Sequence, residues 1–298
     1  MNVIKIFEEF QTQEQALEYL EQVRWHGRPV CPYCKGEAVC RHASGDRASQ
    51  RWQCQSCTRA FSATVGTIFH GTHIPLRSWF LTLGLMLNAK KSASACQIAR
   101  DLGMRRPTVW SMMHRVRMAM ASDPEQSKLL HGIVEADETY IGGKPRKGND
   151  KTKNPTNKRG RGTAKACVLG VVERGGRAIA RLAESGDLST KGLAKFIGRF
   201  VDTAGSVLMT DEFAGYNTIG KMMPHARINH QVRYSDGIIH TNTIEGLWSL
   251  VKRAWYGQHH HYSRKYMPLY LAEACYKYNQ RRSKTSFIDT MRIMAATV

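Results

Sequence analysis

Apolar residues along the chain follow two rhythms, one near 3.6 and one near 2, and the switch between them divides the sequence. Residues 4–24 carry Phe7, Phe10, Ala16, Leu17, Leu20 and Val23 at helical spacing among Glu and Gln, which predicts a helical lead-in over 1–27. The helical rhythm returns in SWFLTLGLMLNAKKSASACQIARDLGMRRPTVWSMMHRVRMAM. Here Ala95, Ile98, Ala99 and Leu102 form one apolar stripe and Gly103 makes a turn. Pro107 then opens a helix that turns Val109, Met112, Met113 and Val116 inward. This is a helix-turn-helix pattern within 63–125, and methionines at such spacing fill a core rather than a cofactor box.

After ASDPEQ the texture changes, and strands alternate with helices. HGIVEADETYIGG predicts a strand running into Asp137, and ACVLGVVERGGRAIARLA a hairpin turned at 174–176. LSTKGLAKFIGRFVD predicts a helix capped near Ser189 with Leu188, Leu193, Phe196, Ile197 and Phe200 on its apolar side. SVLMTDEFAGY gives a strand ending at Asp211, and PHARINH a last one. In HTNTIEGLWSLVKR, Ile244, Leu247, Trp248 and Val251 form a stripe to be buried, beside a polar face of Asn242, Glu245, Ser249 and Lys252. The fold class of 126–298 is therefore α/β.

Charge points to a partner. The 44 Lys and Arg outnumber the 24 Asp and Glu by 20, an excess spread along the chain and suited to a polyanion such as nucleic acid. Nine Lys or Arg against Asp150 alone lie in the Gly-, Pro- and Asn-rich stretch 144–165, which predicts a basic loop. Arg105, Arg106, Arg115 and Arg117 of the helix-turn-helix are expected to meet phosphates. No apolar run reaches the length of a bilayer span, the longest being 79–89, and MNVIKIFEEF is too acidic for a signal peptide. A soluble, cytoplasmic protein is expected.

Four of the eight cysteines form two CxxC pairs, Cys31 with Cys34 and Cys54 with Cys57, at zinc-ribbon spacing within 28–62. Two such turns bring four thiolates to one tetrahedral ion, so a structural zinc is predicted, with Cys40 and His42 as strand residues of the ribbon. The second candidate chemistry is carboxylate. Two acids at strand ends, Asp137 and Asp211, and Glu245 on a later helix are what a two-metal phosphoryl-transfer site needs. Glu138 and Glu212 would point elsewhere along their strands. The histidines at 259–261 and Tyr276, Tyr278, Arg281 and Arg282 are read as packing or DNA-facing residues, and Asp236 as a turn residue.

Taken in order, LEYLEQVRWHGRPVCPYC, ADETYIGGK, GVVERGG, TDEFAGY, HTNTIEGLWSLVKR and YLAEACYKYNQRR span almost the whole chain. This series resembles the bacterial insertion-sequence transposases of the ISXO-like group, in which a zinc ribbon precedes an RNase H-like catalytic domain with a mixed sheet and a DDE triad. The resemblance implies that 126–298 is that catalytic domain. It implies that Asp137, Asp211 and Glu245 hold two magnesium or manganese ions, and that Lys252, seven residues after Glu245, contacts DNA. Members of the group vary at the third acidic position, some having Asn there, and this sequence offers both Asn242 and Glu245. The implied activity is binding of terminal inverted repeats, strand cleavage and strand transfer, by a homodimer or higher assembly on double-stranded DNA. A DNA-binding regulator without catalysis, or an RNase H-like nuclease without strand transfer, would carry much the same pattern. Retention of three acids and Lys252 argues against the regulator.

Overall fold

The computed structural model describes residues 1–42, 51–143, 163, 165–228, 237 and 239–296, so most of the basic stretch 144–165, and Asp236, lie outside the described residues. The chain forms two compact units, Met1–Asp123 with Arg282–Val298, and Pro124–Arg281.

In the first unit the expected helical lead-in consists of two helices, α1 (Val3–Glu9) and α2 (Gln13–Trp25). The chain breaks at Phe10 because Thr12 opens a capping box: its hydroxyl accepts from Gln15 N, and the Gln15 side chain accepts from Thr12 N. Phe7 is exposed, not buried as its spacing suggested, and the Arg77 guanidinium lies 4.0 Å over its ring. Strands β1 (Val39–Arg41), β2 (Trp52–Cys54) and β3 (Ala60–Phe61) make a small antiparallel sheet. Then follow α3 (Leu76–Asn88), α4 (Ala95–Asp101) and α5 (Arg106–Ala121). The apolar run at 79–89 is the buried face of α3, and among the described residues no helix is long and apolar enough to cross a membrane. Gly103 makes the α4–α5 turn at φ 61°, and Val109, Met112, Met113 and Val116 are buried as expected.

The second unit is a five-stranded sheet with helices on both faces. Its strands are β4 (Leu130–Ile141), β5 (Ala166–Glu173), β6 (Ala178–Leu182), β7 (Val201–Thr210) and β8 (His225–Arg227). Their order is β6-β5-β4-β7-β8. The β4–β5 and β5–β6 pairs are antiparallel, while β4–β7 and β7–β8 are parallel. The sheet is therefore mixed, as the resemblance implied. One face is covered by α6 (Thr190–Phe200), capped as predicted by Ser189, which packs Leu193, Ile197 and Phe200 on Val134 and Ala136 of β4. The other is covered by α7 (Asn242–Arg253) and α8 (Met267–Asn279), with Ile244, Leu247, Trp248 and Val251 all buried. The last helix, α9 (Ser286–Ala295), belongs to the first unit. Its Phe287, Met291 and Met294 are buried there, and Ile68 N donates to Met294 O. The compact unit that begins at Pro124 ends at Arg281.

Strand period 2 puts Val134 and Ala136 on the α6 face and Glu135 and Asp137 on the α7 face. Asp137 pairs with Gly170 of β5, and a Cβ at Gly170 would lie 2.6 Å from Trp248 Cζ2. The missing side chain makes room for the indole that covers Asp137. Gly170→Ala is therefore expected to destabilise the sheet unit by about 1–3 kcal/mol through overpacking. Urea unfolding of the variant at wild-type stability would contradict this contact.

Candidate functional site

The cysteine site is built from two equal turns. Lys35 and Thr58, each directly after the second cysteine of its pair, take φ 62° and 58°, a left-handed bend that folds each CxxC into a knuckle. Cys31 N donates to Gly36 O and Cys54 N to Arg59 O. All four sulfurs lie within 4.8 Å of one another, with Cys31 Sγ 3.6 Å from Cys57 Sγ and Cys34 Sγ 3.5 Å from Cys54 Sγ. The edge of a tetrahedron with Zn–S bonds near 2.3 Å is about 3.8 Å, so four thiolates so placed fit structural zinc. Backbone amides, that of Cys57 foremost, hold the Cys54 thiol down at about 6. Cys40 lies on β1 and is not one of the four, as expected. Glu21 of α2 braces the ribbon by accepting from Arg41 and from Trp52 Nε1.

The carboxylate site forms where the β4–β7 pairing ends. The last parallel pair is Glu135 with Met209, so Asp137 lies two residues farther along β4 and Asp211 one residue past the end of β7. Asp137 is not at a strand end as the sequence suggested. Its antiparallel partner β5 carries the ladder on to Ile141, whereas β7 stops at Thr210 and does not pair beside Asp137. One oxygen of each aspartate is fixed: Trp248 Nε1 donates to Asp137 Oδ2 at 2.9 Å, and Phe213 N to Asp211 Oδ1 at 3.0 Å. Burial first, then the charges of Glu138 and Asp211, push the Asp137 carboxyl up to about 7. Tyr216, buried on the α6 side, donates to Glu138 at 3.4 Å, and burial followed by these same acids raises its phenol well above the usual range. Glu138 points away from α7, as expected of its position, yet its charge reaches Asp137.

On α7, Asn242, Glu245, Ser249 and Lys252 stay at least partly exposed, so the polar face is the one the spacing predicted. Glu245 is on the helix that Trp248 fastens to Asp137. Its own carboxylate accepts from Thr241 Oγ1 at 3.2 Å, and it does not join Asp137 and Asp211 in a cluster as tight as the cysteines. Asn242 opens the helix and is exposed. Elsewhere, Arg105, Arg106 and Arg115 are exposed, and Arg115 Nη1 donates to Ile68 O and His70 O. Arg117 is only 1% exposed, because its position on α5 faces the core with Val116 and Met120, so it is not a phosphate contact. Of the histidine run, half-buried His259 lies against Tyr262 and Tyr270, and exposed His261 against Trp255.

Sequence reasoning missed Glu135. This carboxylate is fully buried and receives Arg174 and the first turn of α7. Its signal was its place two residues before Asp137, on the same face of a strand.

Residues 129–279 match the model of the ISXO2-like transposase domain, and residues 11–60 that of a transposase zinc-ribbon domain. The chain belongs to the ISXO2-like transposase domain family. An uncharacterized protein in transposable element ISH50 of Halobacterium salinarum is 27% identical over 271 residues, covering 88% of this chain and 89% of that one. Among solved structures, the Mos1 strand transfer complex aligns at TM-score 0.30 and 14% identity over 72% of this chain and 74% of its own. The Mos1 transposase paired-end complex with left transposon end aligns at 0.30 and 12% over 71% and 74%.

Two outcomes are expected for this family member. Cys31→Ser or Cys57→Ser should lower bound zinc from about one per chain and loosen the ribbon, since a missing thiolate opens a closed site; full zinc occupancy by elemental analysis in both variants would contradict the assignment. Asp137, held near 7 when folded, binds its proton more tightly there than in the unfolded chain. In chelator, stability should be full below pH about 4 and fall as pH rises to about 7, by on the order of 4 kcal/mol. Asp137→Asn should remove that loss, and parallel stability profiles of wild type and variant from pH 4 to 8 would rule it out.

Proposed function

We propose that this chain is a transposase that binds the terminal inverted repeats of its element, hydrolyses the phosphodiester at each end and joins the freed 3′ hydroxyl to target DNA. The carrying observation is Asp137 on β4 with Asp211 just past the end of the adjacent β7, close enough for its charge to act on Asp137, and the Glu245 helix fastened over Asp137 by Trp248. Asp137, Asp211 and Glu245 would hold two magnesium or manganese ions. Hard anionic oxygens suit such ions, and a carboxyl raised to about 7 by burial and like charge ionises more readily beside a cation. When bound, the ions activate the attacking oxygen and stabilise the leaving one.

The chain's own residues supply orientation. Trp248 fixes one oxygen of Asp137, the Phe213 amide does so for Asp211, and Lys252, roughly 10 Å along the helix from Glu245, would contact the DNA strand. Water attacks first and the 3′ hydroxyl second, both as in-line displacements at phosphorus, so no covalent protein intermediate is needed. Arg105, Arg106 and Arg115 of the α4–α5 unit would position DNA, and the excess of 20 positive charges makes binding fall steeply with salt. Two ends joined to one target call for a dimer or larger assembly.

Asp137→Asn and Asp211→Asn should each abolish nicking of end DNA with binding near wild type. Glu245→Gln should do the same, whereas Asn242→Ala should lose only about 10- to 100-fold, the usual cost of a residue that orients a ligand. Lys252→Ala should fall between them and recover as DNA is raised. An inactive Asn242→Ala beside an active Glu245→Gln would make Asn242 the third ligand.

A further inference from the structure

We infer that Glu135 is a positioning residue that sets where α7, and with it Glu245, rests on the strand carrying Asp137. The inference rests on the transposase reading of the site. Glu135 is 0% exposed, and four donors converge on its carboxylate. Oε2 accepts from Thr243 N at 2.8 Å and Ile244 N at 2.9 Å; Oε1 accepts from Thr243 Oγ1 at 2.8 Å and Arg174 Nε at 2.7 Å. His240 Nδ1 lies 3.3 Å from Oε1.

The first turn of any helix leaves amide donors without partners inside the helix, and it carries partial positive charge. On α7 the residue at the N-cap, Thr241, makes no side-chain capping bond. The cap comes instead from another element, the central strand β4. Arg174 extends the clamp by donating to His240 O at 2.8 Å, while its own N donates to Ile133 O, so the approach to α7 is tied to the β5–β6 turn and to β4.

Clamp and metal-site acid are spaced as a ruler. Two strand residues, from Glu135 to Asp137, cover about 6.7 Å. Four helix residues, from Ile244 to Trp248, rise about 6 Å. The match lets Ile244 N meet Glu135 while Trp248 Nε1 meets Asp137, two polar contacts that fix both position and rotation of the helix. Glu245 lies between them in sequence.

Glu135→Gln keeps the volume but turns an NH2 group toward donors on one side or the other, so a full set of four bonds cannot form. Thr243→Val removes the hydroxyl alone and keeps the branched shape. Both are compared with wild type in the full chain. Nicking is followed at saturating end DNA over a magnesium series, with amide exchange across 242–248.

Glu135→Gln should lower turnover by about 10- to 100-fold and raise the magnesium midpoint several-fold, with half-saturating DNA changed less than about 3-fold. Its 242–248 amides should exchange at least about 10-fold faster. Thr243→Val should move each quantity the same way by a smaller factor, and it decides the matter if the Gln variant does not fold. A merely structural role would reduce the active fraction and leave the magnesium midpoint in place, and that result overturns the inference. If wild type shows no magnesium-dependent nicking, the transposase reading fails first; exchange then decides the clamp alone, faster exchange supporting it and unchanged exchange ending it.

Discussion

A fully buried carboxylate must be surrounded by donors, and in this chain the donors that surround Glu135 are the start of a helix and an arginine from a hairpin. The second unit is organised around that constraint. Because Glu135 and Asp137 share a strand face, the contact that satisfies one brings α7 over the other. The bare Cα of Gly170 makes room for the Trp248 indole whose Nε1 donates to Asp137. Removing either partner of Glu135 would leave a charge in the interior, so the docking of α7 is coupled to the folding of the sheet itself.

The ribbon follows a different logic. Among the described residues its sheet has three short strands around Cys31, Cys54 and Phe61, little apolar surface to hold a module of this size. Four thiolates at tetrahedral separation supply the missing cohesion once zinc is bound, and Glu21 links the result to α2. In the same unit α9 closes the helical core formed with α2, α3 and α5, although it comes from the far end of the chain.

Features with a local cause are legible in the sequence. The CxxC pairs, the Ser189 cap, the 174–176 turn and the buried stripe of α7 each depend on residues within one or two turns of one another. Features with a distant cause are not. Arg117 reads as a surface cation until the packing of α5 buries it. Asp137 reads as a strand end because nothing nearby reveals that β5 outlasts β7 beside it. Glu135 is open to the same alternation argument that selects Asp137, but its partners lie 39 residues away at Arg174 and 108 away at Thr243.

The chemistry proposed for this fold is the cutting and rejoining of DNA by divalent ions held at the carboxylate site. It is tested most directly by incubating the full chain with its element's end DNA, a target duplex and magnesium, and mapping every 3′ and 5′ end formed. The expected result is a nick that frees a 3′ hydroxyl at the element boundary, then its covalent joining to target, both abolished by chelator. Specific end binding with no strand broken in magnesium or manganese would contradict it.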